Sequence, residues 1–126
     1  MAFILIAYNN DTSAELHEFM ESCGDSVMQY CYDKQIAYTQ MTPPDLTEHE
    51  MMSQIKEHHI CFIAGHGDDD GIYNETDKDV ISTRTTNYNF QGKGFYGISC
   101  LCAQKLCTHL LDNIGALLFV GYKETF

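Results

Sequence analysis

The sequence has no tryptophan and only two prolines, Pro43 and Pro44, standing side by side. A proline-rich linker is thereby excluded, and the pair marks one abrupt stop in the chain. Positive charge is equally scarce. Seven Lys and Arg stand against eighteen Asp and Glu, for a formal net charge of −11. Phosphate backbones are bound by clustered cations, and these seven are scattered, so no nucleic acid partner is expected. No apolar run approaches the ~20 residues of a membrane span. Residues 1–8 are too short for a secretion signal and lack its basic flank. The expectation is a cytoplasmic protein with no membrane partner. In a reducing compartment the six cysteines read as thiols rather than as a disulfide framework.

Apolar residues make up 44% of the 126 residues, enough for one domain spanning 1–126 with its own core. Three short apolar runs, at residues 3–7, 60–64 and 95–99, suit buried strands. A weaker candidate lies at 35–39 and a fifth at 116–120. Helical spacing joins Leu16, Phe19, Met20, Cys23, Val27, Tyr30 and Cys31, with Thr12-x-x-Glu15 as a capping box and Gly24 weakening the middle. Asp45-x-x-Glu48 and Thr47-x-x-Glu50 both offer starts for a second helix carrying Leu46, Met52 and Ile55. A third helix follows residue 99 and places Ala103, Leu106, Cys107, Leu110, Leu111 and Ile114 on one face. Strands alternating with helices predict an α/β fold: a mostly parallel sheet of about five strands, helices on both faces. Residues 65–93 form a long polar excursion with a hairpin expected near 71–73 and 88–90, and an excursion of that length is usually functional.

Two motifs stand at the polar ends of neighbouring strand candidates: Gly65-His66-Gly67 and Ser99-Cys100. In an open parallel sheet, residues just past the carboxyl ends of adjacent strands meet in one crevice. A histidine and a cysteine delivered there form a base–nucleophile pair. Cys100 also stands at the start of the third predicted helix, whose dipole would lower its thiol pKa.

The order strand, His66-Gly67, excursion, strand, Ser99-Cys100, helix, Gly115-Ala116-strand resembles the caspase-like fold. That clan of cysteine peptidases includes caspases, separases and clostripain-like peptidases. The phrasing Ile63-Ala64-Gly65-His66-Gly67 and Gly115-Ala116-Leu117-Leu118-Phe119-Val120-Gly121 is most similar to bacterial CHAT domains. The resemblance implies a three-layer sandwich and a cysteine endopeptidase acting on protein or peptide substrates in regulatory or defence-related limited proteolysis. It implies Cys100 as nucleophile, His66 as the base, and the backbone N–H groups of Gly67 and Cys100 as the oxyanion hole. By position, Asp11, Asn10 and Ser99 would line the substrate pocket, with Asn9 beside them, and an acidic residue there would select Arg or Lys. Caspase-like domains continue past the fifth strand, whereas this sequence ends shortly after Val120. The cleft would then be completed by an activating partner or by a second copy, or the fold is shortened.

Two other readings stay open. One is a catalytically silent caspase-like module acting through protein–protein contacts. The other is a metal- or ligand-binding α/β domain. The sets Cys100-x-Cys102-x4-Cys107-x-His109 and His58, His59, Cys61, His66 lack the paired C-x2-C spacing of zinc sites. Asp68, Asp70 and Asp77 echo a calcium loop without its first ligand. No metal and no other cofactor is expected.

Overall fold

A computed structural model describes residues 3–125 of the protein. Seven strands form: β1 (Ile4–Tyr8), β2 (Tyr38–Met41), β3 (Ile60–Ala64), β4 (Gly71–Tyr73), β5 (Asp79–Ser82), β6 (Gly94–Ile98) and β7 (Leu118–Val120). The helices are α1 (His17–Lys34), α2 (Glu48–Ile55) and α3 (Lys105–Thr108), the last running into a π-helical turn at His109–Ile114. Five strands make one sheet in the order β2-β1-β3-β6-β7, and every pairing is parallel. β4 and β5 pair separately as an antiparallel hairpin. The expected α/β fold with a five-stranded parallel sheet is the fold observed.

The strand runs are apolar throughout because the central strands are buried on both faces. One face sends Leu5, Ala7, Cys61, Ile63 and Phe95 into a core with Met51, Met52 and Ile55 of α2, Ile72, Val80 and Ile81 of the hairpin, and Leu106, Leu110 and Ile114. The opposite face presents Ile6, Tyr8, Phe62 and Ala64 to Met20 and Cys31 of α1. Gly24 belongs to this second contact. A Cβ at that position would overlap the Tyr8 ring, so the glycine that weakens the helix is what lets the aromatic ring lie against it. The single helix α1 spans β1 and β3 and leaves the same face of β6 and β7 open. Tyr96, Leu118 and Val120 are 41%, 50% and 42% exposed there, and an apolar groove of about 570 Å³ runs between α1 and β6.

Several boundaries differ from the sequence expectation, each for a local reason. α1 starts at His17, not at a Thr12 capping box. The Asp11 carboxylate instead accepts the Ser13 N–H and hydroxyl, at 2.9 and 2.5 Å, and Leu16 takes a left-handed conformation at φ 59°. The second strand is not 35–39. Gln35 is the left-handed cap of α1, and Ile36 N–H donates to the Cys31 carbonyl at 2.8 Å, so pairing begins only at Tyr38. Thr47 does cap α2, accepting the Glu50 N–H at 3.1 Å. The hairpin's second strand is Asp79–Ser82 rather than 88–90, where Phe90 is buried in the core and Tyr88 is exposed. The last strand is confined to Leu118–Val120, because Ala116 N–H folds back onto the Leu110 carbonyl.

The largest correction falls at Cys100. Residues 100–104 form turns and the helix begins only at Lys105. Leu101 is left-handed at φ 61°. Its N–H donates to the Glu124 carbonyl at 3.2 Å, and that of Ala103 to the Tyr122 carbonyl at 2.8 Å. Two of the donors that a helix starting here would leave free are bonded to the C-terminal tail, and Cys100 stands ahead of α3 rather than at its N-terminus. Cys102, two residues on, is fully buried.

Candidate functional site

The parallel register between β3 and β6 positions the two motifs. Ala64 is level with Ile98, the last pair of the ladder, and Gly65 N–H extends it by donating to the Ile98 carbonyl at 3.2 Å. His66 and Cys100 each come two residues after that pair and leave the sheet on adjacent strands at the same level. The loops stay together one step further. A Cβ on Gly67 would overlap both the Ser99 hydroxyl and the Gly71 carbonyl oxygen, so only glycine lets these backbones approach so closely.

Ala64 faces α1, and strand alternation gives His66 the same side. There its Nε2 lies 2.5 Å from the Glu15 carbonyl oxygen, just ahead of α1. A carbonyl only accepts, so Nε2 carries the proton and Nδ1 keeps the lone pair. The imidazole is thus oriented by a backbone group, with its basic nitrogen available. Sequence reasoning missed this partner because a carbonyl is common to all residues; no side-chain signal could have marked it.

Gly67 forms an isolated antiparallel bridge with Ile72 of the hairpin. The bonds that make it run from Tyr73 N–H to the His66 carbonyl at 2.8 Å and from Asp68 N–H to the Gly71 carbonyl at 3.0 Å. Neither uses the N–H of Gly67, which the bridge geometry turns away from the hairpin. Cys100 is half-buried. Burial pushes the thiols of Cys23, Cys31, Cys61, Cys102 and Cys107 up, that of Cys61 the furthest. No disulfide links the six cysteines.

A polar cleft of about 290 Å³ opens beside His66, lined by Asn9, Ser13, Ala14, Glu15, Asn74, Glu75 and Asp77 as well as by the histidine. It lies between the ends of β1 and β3. From β1 the sheet grows to β2 on one side and to β3 on the other, and such a switch point is where open parallel sheets bind ligands. Of the pocket residues expected from sequence, neither Asn10, Asp11 nor Ser99 lines the cleft. The Asp11 carboxyl is closed on Ser13, whose hydrogen bonds hold its pKa below the ordinary value. Ser99 is fully buried, and among the described residues its hydroxyl has no hydrogen-bond partner. Glu75, in the β4–β5 turn, is a cleft residue that sequence reasoning did not single out.

The two Cys/His sets considered as metal ligands do not gather. His58 is buried, donating from Nδ1 to the Gln54 carbonyl at 2.6 Å and accepting the Thr39 hydroxyl at Nε2 at 2.8 Å. Cys61 packs on Met51, with Sγ and Sδ 3.8 Å apart. Among the described residues the acidic group Asp68, Asp69, Asp70 comes together. Asp68 there accepts the N–H groups of Asp70 and Gly71 and the Tyr73 hydroxyl, and Asp69 pairs with Lys105 at 3.3 Å. Also among the described residues, no helix is long and apolar enough to cross a membrane. Comparison with protein-family models, with curated proteins and with solved structures found no match.

Proposed function

We propose that this chain is a caspase-like cysteine endopeptidase working through Cys100 and His66. The observation that carries the reading is the shared level of the two residues, each two positions beyond the Ala64–Ile98 pair of adjacent parallel strands. Nδ1 of His66 takes the thiol proton, and the Cys100 thiolate attacks the carbonyl carbon of a peptide bond. The N–H groups of Gly67 and Cys100 hold the oxyanion. The tetrahedral adduct collapses to a thioester as the imidazolium protonates the departing amine. Water, deprotonated by His66, then hydrolyses the thioester and returns the thiol. Through both steps the Glu15 carbonyl stabilises the imidazolium by accepting a hydrogen bond from its Nε2–H. The substrate is a protein or peptide, and a second copy or an activating partner completing the cleft is part of the same proposal.

The test is mass-spectrometric mapping of acyloxymethyl ketone peptide probes on wild type, Cys100→Ala and His66→Ala. Labelling at Cys100 that vanishes in His66→Ala supports the pair. A folded wild type that stays unlabelled, or a label on another cysteine, rejects it in favour of a silent interaction module.

A further inference from the structure

We infer that the uncovered sheet face of β6 and β7 docks a basic amphipathic helix from a partner protein. The strand order is what leaves this face open. The step from β1 to β2 goes toward one edge of the sheet, whereas β2 to β3, β3 to β6 and β6 to β7 all go toward the other. Right-handed crossovers then place α1 alone on one face and send α2, the hairpin and α3 to the opposite one. The tail beyond β7 does not fill the gap. It is bonded along the 101–104 turn, through the Leu101 and Ala103 N–H groups and the Gln104 side chain, which donates to the Lys123 carbonyl at 2.7 Å.

Width, apolar lining and charge together select the occupant. Phe62, Tyr96 and Val120 stand in register across three strands, and Ile60, Gly94 and Leu118 form the next row on the same face. Gly94, which has no side chain, makes a dip between Ile60 and Leu118. Strands about 4.8 Å apart make β6 and β7 together as wide as one helix of about 10 Å. Cys23, Val27 and Tyr30 of α1 form the side wall of the groove. Along the solvent edge of that wall Glu18, Asp25 and Asp33, all exposed, recur at i, i+7 and i+15 on one stripe. α1 holds four acids, with Glu21 the fourth, against the single lysine Lys34. Among the described residues the ion pairs engage Asp69, Asp70 and Asp79 instead. A helix laid beside α1 buries an apolar stripe on the sheet and sets its Lys or Arg opposite these carboxylates. A second copy would bring another net charge of −11 and its own acidic stripe, so repulsion opposes that pairing.

Chemical-shift titration of the intact chain tests the surface. The probes are two helical peptides of about eighteen residues with the same leucine stripe, one flanked by lysines and the other by glutamates. The lysine peptide is expected to shift Val27, Ile60, Leu118 and Val120, and at about 50 mM salt to bind at least about tenfold more tightly than the glutamate peptide. Val120→Lys, at an exposed position of the face, should abolish binding. Glu18→Lys combined with Asp25→Lys, both on the exposed side of α1, should remove the preference for lysine while leaving the fold intact. Equal binding of the two peptides, binding of neither, shifts confined to another surface, or an affinity that survives Val120→Lys overturns the inference. Shifts on this face that grow with protein concentration alone assign it to a second copy and overturn it as well.

Discussion

Gly67 and Ser99 touch where the two loops of the candidate site leave the sheet, with no room for a Cβ between them. Gly67→Ala sets a methyl group against a backbone carbonyl as well as the serine hydroxyl, and the carbonyl belongs to the hairpin bridge. The expected loss is about 1–3 kcal/mol of stability, with probe labelling at Cys100 reduced in whatever fraction remains folded. Denaturant titration and labelling of the same sample check both.

Ser99→Ala should act in the opposite direction. Among the described residues the buried hydroxyl has no partner, so its removal takes away an unsatisfied polar group and leaves the backbone approach intact. Stability is expected to hold or rise by about 1 kcal/mol. A drop of that size on urea unfolding would mean that the hydroxyl is bonded.

Gly24→Ala separates local preference from packing. In an exposed helix the change stabilises by about 1 kcal/mol. Here the new methyl would overlap the Tyr8 ring, and displacing a buried ring costs about 1–3 kcal/mol. The net expectation is destabilisation. Tyr8→Leu should reverse its sign within a double-mutant cycle read by urea unfolding.

Alkaline pH should weaken the fold. Below the unfolded thiol pKa of about 8.5, both states hold the proton and the stabilising contribution of each buried thiol is whole. Above it the unfolded chain ionises while Cys61 and Cys102, raised by burial, stay protonated. Stability is then lost progressively until the folded pKa is passed, by up to about 1.4 kcal/mol per pH unit for each fully buried thiol. Tyr8 and Tyr73, also raised chiefly by burial, add the same sign near pH 10. Unfolding midpoints at pH 7.5 and 9.5 measure the slope, and Cys61→Ala should flatten it.

The central strands were legible because burial on both faces demands unbroken apolar runs, which residues 3–7, 60–64 and 95–99 display. The His66 and Cys100 motifs were visible for the same reason, as polar punctuation after two of those runs. Other features depend on long-range contacts. The turn at Cys100 is set by the tail carbonyls of Tyr122 and Glu124, so periodicity alone extended the helix too far. The strand Asp79–Ser82 alternates too little to stand out, and its partner is fixed by packing on α2 and the main core. Glu75 reaches the cleft only through the fold of the hairpin, which no spacing rule reports.

The strand order also sets a sequence of assembly. β1 is made first yet lies between β2 and β3, and β6 lies between β3 and the later β7. Each of these pairings joins segments distant along the chain, a topology that folds in the slower range of small domains, milliseconds to seconds. Until β6 docks, the histidine loop lacks the Ser99 loop at its side and the cysteine loop has no support. The level placement of His66 and Cys100 is therefore a late feature of the fold and the first it should lose when the β3–β6 edge opens.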